Sequence, residues 1–335
     1  MNRELRNTLM LAFLAVAAGA YMYFVESERP VAEEVQPGEG EKLFPGLSAV
    51  NVEEVGIADE KGSFTVFQKA NGEWEVRDGD RRHLADPSAV GDLVSALAAI
   101  RGRMIETDEN VPDSSFGLDH PPRTVWFREK NKDQTDILIG GDSPLGNSRY
   151  IRVDLDGPVY VTAAHTLYPF ERKTEDLREK KLVNAEPAQV FRAVVRWGEK
   201  GTGETVLERG KDGWKFAAGP EGKIDVDRLD DFLSELRLLR AVKFSGEGED
   251  SFGKYGLDRP VLEAELYGED GKLLDKVRFG SVEKSSEGTW TWSSRSGEIV
   301  TISKFSRDQM PSGPDYLMVK EAPPAEAPET PAPAP

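Results

Sequence analysis

Hydrophobic and polar positions along the chain change period several times, and each change marks an element. Residues 7–25 carry no charge, and Leu9 to Val25 reads LMLAFLAVAAGAYMYFV. A bilayer core about 30 Å thick takes ~20 helical residues, so this run predicts a single membrane-spanning helix. Arg3 and Arg6 precede it, in a cytoplasmic segment 1–6, while Glu26 and Glu28 follow. Positive charge stays on the cytoplasmic side, which sends the remainder of the chain outward. Tyr21, Tyr23 and Phe24 fall where an aromatic belt sits at the outer interface. Ala18-Gly19-Ala20 has the small-x-small form of a signal-peptide cleavage site. The apolar run continues past it through Val25, which favours an uncleaved anchor.

Beyond the anchor the pattern becomes that of a duplicated domain. Residues 26–43, rich in Pro, Gly and Glu, read as an extended linker. Phe116-Gly117-Leu118-Asp119-His120-Pro121 then matches Tyr255-Gly256-Leu257-Asp258-Arg259-Pro260 at an offset of 139. Trp74 pairs with Trp214, and Val90, Leu93, Leu97 and Ile100 pair with Leu229, Phe232, Leu236 and Leu239. Ile137 to Gly140 pairs with Val277 to Gly280, one residue further on. The matches place one copy at 44–172 and the other at 186–310, separated by a short charged helical connector at 173–185. The Pro/Ala/Glu-rich remainder, 311–335, reads as a disordered tail.

Each copy predicts the same order of elements. Short β-branched and aromatic runs alternate first, and Asn71-Gly72 or Asp212-Gly213 turns the chain into a Trp-containing strand. Asp86-Pro87 and Asp225 are helix N-caps, followed by one apolar stripe each: Val90, Leu93, Val94, Leu97 and Leu229, Phe232, Leu233, Leu236. The Gly-Leu-Asp-x-Pro corner comes next, and four more short strands end the copy. Asp156-Gly157 makes one of the turns between them. Consecutive short strands with tight turns predict antiparallel pairing. The fold class is therefore α+β: an N-terminal transmembrane helix, then two tandem domains, each a mainly antiparallel sheet with one packed amphipathic helix.

Composition narrows the chemistry. The 38% apolar content suffices for real cores, and the net charge of −17 repels phosphate backbones, which argues against a nucleic-acid partner. With no cysteine, disulfides, thiolate metal sites and a cysteine nucleophile are excluded. Three histidines, His83, His120 and His165, lack metal-ligand spacing. No nucleophile elbow or phosphate-binding loop occurs, so no catalytic residue, cofactor or metal site is assigned. The candidate binding surface is Trp290 and Trp292, on one face of a strand, with Tyr150 and Arg152 as their counterparts. The repeated corner, Phe116, Gly117, Leu118, Asp119 and Pro121 with Tyr255, Gly256, Leu257, Asp258 and Pro260, is read as architecture.

The anchor, the Trp hairpin, the leucine-striped helix, the Phe/Tyr-Gly-Leu-Asp-x-Pro corner and the Ile-Gly or Phe-Gly strand end together resemble the bacterial family known as domain of unknown function 4340. The resemblance implies an accessory role at the bacterial inner membrane. The partners it implies are the permease and auxiliary subunits of an ABC transporter of the gliding-motility type. It implies no catalytic residues. The function expected is that of a non-enzymatic, membrane-anchored periplasmic scaffold. The alternatives are an envelope module binding glycan or peptide through exposed aromatics, and a hydrolase using carboxylates in a shared cleft.

Overall fold

The computed structural model describes residues 40–48, 50–69, 71–106, 111–144, 146–198, 203–285 and 287–319. The uncharged run 7–25 lies outside the described residues. Among those described, no helix is long and apolar enough to cross a membrane. The chain divides into two compact units between Glu179 and Lys180.

The first unit is one antiparallel sheet with a helix on one face. Its strands are β1 (Glu41–Lys42), β2 (Val52–Asp59), β3 (Gly62–Gln68), β4 (Trp74–Asp78), β5 (Arg81–Leu84), β6 (Arg101–Met104), β7 (Arg123–Glu129), β8 (Gln134–Asp142), β9 (Ser148–Val153) and β10 (Val159–Ala163). They lie in the order β1-β6-β10-β9-β8-β7-β2-β3-β4-β5. Helix α1 (Pro87–Ala99) starts where Asp86 accepts hydrogen bonds from the Ser88 and Ala89 N–H groups, satisfying two donors the helix itself leaves free. Its stripe of Val90, Leu93, Val94 and Leu97 is buried with Val55, Ile57, Val66, Val76, Val125, Phe127, Ile137 and Ile151, which alternate along the strands. Each such side chain contributes about 1.5–3 kcal/mol on burial.

The second unit repeats this plan. Its strands are β11 (Arg192–Trp197), β12 (Gly203–Gly210), β13 (Gly213–Ala218), β14 (Lys243–Phe244), β15 (Leu262–Tyr267), β16 (Leu273–Val282), β17 (Thr289–Ser293) and β18 (Ile299–Ile302). Their order is β13-β12-β11-β15-β16-β17-β18-β14, which is that of the first sheet without its outermost strands β1 and β5. Helix α2 (Val226–Leu238), capped by Asp225, buries Leu229, Phe232, Leu233 and Leu236.

The ends of the copies differ from the boundaries drawn on the sequence. In the first unit Glu41 and Lys42 pair with Gly102 and Arg101, and the Leu43 N–H donates to the Ile100 carbonyl at 3.1 Å. In the second, Lys181 pairs with Arg240, and the Leu182 N–H donates to the Leu239 carbonyl at 3.1 Å. The closing segments also correspond. Asp86 N–H donates to Leu177 O at 2.8 Å, and Asp225 N–H to Leu317 O at 2.9 Å. One copy therefore runs from Glu41 to Glu179 and the other from Lys180 to Val319, head to tail with no intervening residue. The expected linker 26–43 gives its last residues to the first copy. The expected connector 173–185 is helical only over Thr174–Leu177, and Leu182 and Val183 are fully buried in the second core. The expected tail 311–335 begins inside the fold, because Leu317 is fully buried there. Apolar burial at those three side chains outweighs the Lys, Pro and Gly content that made the segments look solvated.

Candidate functional site

The repeated corner is built from two glycines that come from different motifs. Gly117 and Gly256 have φ of 65° and 71°, a left-handed conformation that favours glycine. Each ends a short helical turn, Asp113–Phe116 or Phe252–Tyr255. The corner lies against the strand glycines Gly140 and Gly280, where a Cβ would overlap the carbonyl oxygen of Phe116 or Tyr255. Gly-Leu-Asp and the Ile-Gly or Phe-Gly strand end are thus one device: backbone packed on backbone, sealed by buried Leu118 or Leu257. Asp119 and Asp258 are exposed and accept no hydrogen bond among the described residues. Pro121 and Pro260, half-buried, lead into β7 and β15.

The four side chains expected to offer a binding surface instead hold this corner down. Phe116 meets Tyr150 edge-on with centroids 5.0 Å apart, and Tyr255 meets Trp290 at 4.5 Å. One turn earlier, Asp113 takes a bidentate ion pair from Arg152 at 2.6 and 2.7 Å. Its counterpart is Phe252 against Trp292, edge-on at 5.5 Å. An ion pair in one copy and an aromatic pair in the other fasten the same turn to the same strand. Hydrogen bonding from Arg152 draws the Asp113 carboxyl below its usual value. Trp292 and Tyr150 are buried and Trp290 is half-buried beneath Tyr255, so the expected open aromatic platform is a small second core on the sheet face away from the helix.

On that same outer face the two copies have diverged. In the second unit one register line reads Glu204, Arg196, Glu263, Arg278, Trp292 across β12, β11, β15, β16 and β17. Arg278 and Arg196 both hold Glu263, which is 5% exposed. Lys276 bonds Glu265 at 2.7 Å, and the Tyr267 hydroxyl donates to it at 2.9 Å. Burial by itself raises the Glu265 pKa. Hydrogen bonds from Lys276, Tyr267 and Arg196 outweigh it and hold the carboxyl at about 2. Every long cation in this lattice has a carboxylate, so the lattice stiffens the face.

Among the described residues, the first unit has no such lattice. The counterparts of Glu265 and Lys276 are Trp126 and Asp136, and the Trp126 indole rests on Gly56, where a Cβ would overlap the ring. At the end of this sheet lies a shallow cavity of about 240 Å³, lined by Asp59, Lys61, Asp78, Arg123, Arg172 and Lys173 among others. Arg123 bonds Asp59 at 3.0 Å, and Arg172 donates to the Ala89 carbonyl at 2.9 Å. The Lys61 N–H and the Arg123 guanidinium together hold the Asp59 carboxyl below its usual value. In the second copy Leu262 stands where Arg123 does, so the cavity's charges are not a requirement of the fold.

Trp126 and Arg123 were missed because their register partners, Gly56 and Asp59, lie some seventy residues upstream. The available signal was the comparison of copies, in which polar or aromatic positions change while the core stays.

A family model described as Domain of unknown function (DUF4340) matches residues 74–260. No curated protein and no solved structure matches the chain.

Proposed function

The chain belongs to the DUF4340 family, whose model covers more than half of it, and from that premise we propose that it is a non-enzymatic accessory protein of the bacterial envelope. Residues 7–25 anchor it in the inner membrane with the N-terminus cytoplasmic, and the two units stand in the periplasm. There it serves as a scaffold for an ABC-type transport system of the gliding-motility kind, contacting the permease and auxiliary subunits.

The observation that carries this reading is the pairing of an uncharged 19-residue run with two head-to-tail copies of one sheet fold. The copies share cores and corners, but their outer faces carry different chemistry: an ion-pair lattice in one, an indole laid over glycine in the other. Two unlike contact faces on one tether raise the effective concentration of whatever each one holds. Crosslinking in intact cells followed by mass spectrometry tests the role. Crosslinks from both units to transporter subunits are expected; a chain that crosslinks only to itself overturns the reading.

A further inference from the structure

We propose that the outer face of the first unit's sheet, from Arg82 to Trp126, binds an acidic oligosaccharide, the arginines taking its carboxylate or sulfate groups and the indole stacking on a sugar ring. Cross-strand partners share a sheet face. Arg82 faces Arg77, Arg77 faces Thr65, Thr65 faces Gly56, and Gly56 faces Trp126. These residues form one line across five strands, about 19 Å long at ~4.8 Å per strand. That length fits several sugar units rather than one.

The arginine end of the line is unusual. Arg77 and Arg82 are directly opposed like charges, an arrangement that destabilises a strand pair. Both guanidiniums lie over the Phe67 ring, at 4.7 and 5.9 Å from its centroid. Among the described residues neither has a carboxylate partner, in a chain with 60 acidic residues against 43 Lys and Arg. Two guanidinium forks held on one ring suit an anionic group from outside, which each can grip in bidentate fashion.

At the other end, Trp126 is half-buried with one ring face against Gly56. Its N–H makes no hydrogen bond among the described residues. A flat indole in line with the Thr65 hydroxyl and the two guanidiniums suits a ring with an apolar face and polar edges. The corresponding line in the second unit reads Ala218, Val206, Val194, Glu265, with neither arginine nor indole. The fold therefore does not require the strip. A polynucleotide stacks successive bases on several aromatic side chains, whereas this line presents a single indole. An added peptide strand finds little edge beyond β5, because the Leu84 carbonyl already accepts from Glu179 N–H at 2.8 Å.

The test is calorimetric titration of the full chain in detergent with four probes: size-defined oligogalacturonate, a chondroitin-sulfate oligosaccharide, neutral maltohexaose and oligoglutamate. Binding to the acidic sugars is expected, weakening as salt rises, with maltohexaose and oligoglutamate much weaker. The double variant R77S/R82S and the variant W126A should each weaken binding about tenfold. Both arginines are exposed and repel each other, so R77S/R82S should melt no lower than the wild type, and it decides the case if W126A unfolds. Failure of both acidic sugars to bind overturns the proposal. So does unchanged affinity in R77S/R82S, or oligoglutamate binding as tightly as the sugars.

Discussion

Gly140 and Gly280 show how a single missing Cβ fixes the geometry of a whole unit. A methyl group at either would overlap a backbone carbonyl of the corner, and backbone cannot swing aside as a side-chain tip does. G140A and G280A should each lose about 1–3 kcal/mol in urea unfolding. G91A, in helix α1 with open space around it, should hold or gain up to about 1 kcal/mol. Equal effects at the three sites would contradict the packing argument. Two carboxylates give opposite pH signatures. Glu265 is held at about 2, below its ordinary 4.5, so the stability it contributes is present above that ordinary value and lost as pH falls toward 2. E265Q should flatten the acid limb of the stability–pH curve. Asp275 is raised by burial, although Asn184 and Ala185 N–H groups donate to it at 2.8 and 2.7 Å. Its contribution is fully present below its ordinary 3.8 and fades as pH rises through the folded value. D275N keeps an acceptor for those amides and removes the charge, so at pH 7 it should be at least as stable as the parent; a marked loss in thermal melting would refute this. Caps were legible in the sequence because their partners lie within a few residues, and the corner because its motif recurs in both copies. The Glu263 and Glu265 lattice was not, because Arg196 reaches it from 67 residues away.

Elements with a period were legible and elements without one were not. The striped helices and the alternating strands β7 to β10 and β15 to β18 follow the sequence pattern to within three residues. The leading and closing segments of each copy are only two to four residues long, too short for any periodicity. In the second copy they sit behind Lys180-Lys181 and among Pro311, Gly313 and Pro314, a composition that signals solvent. Fully buried side chains there do the packing: Leu182 and Val183 at the start, Leu317 at the end. L182A and L317A should each cost about 2–5 kcal/mol, read by chemical denaturation. A chain stopped after Met310 should lose the cooperative melting of its second unit. Melting unchanged by that truncation would restore residue 311 as the start of a free tail. The candidate aromatics show a related limit. Alternation placed Trp290 and Trp292 on one face, as observed, but a strand cannot announce that another segment of its own unit will cover that face.

At the scale of the whole molecule, the two copies meet at Glu179 and Lys180 with no spare residue, and each has its own core. Polypeptides 40–179 and 180–319 should therefore each fold alone with a cooperative thermal transition, checked by circular dichroism; a transition present only in the joined chain would contradict this. The duplication was legible because core positions recur over more than a hundred residues, whereas the functions of the outer faces were not, since beyond the shared corner the copies carry different residues there. Under the proposed function, the run 7–25 sets the working position of both units. The decisive measurement is therefore made on cells producing the full chain: membranes are washed with alkaline carbonate, and intact spheroplasts are treated with protease. The account predicts that the chain stays in the washed membranes and that both units are digested from outside. A chain released by the wash, or protected inside the spheroplasts, would contradict it.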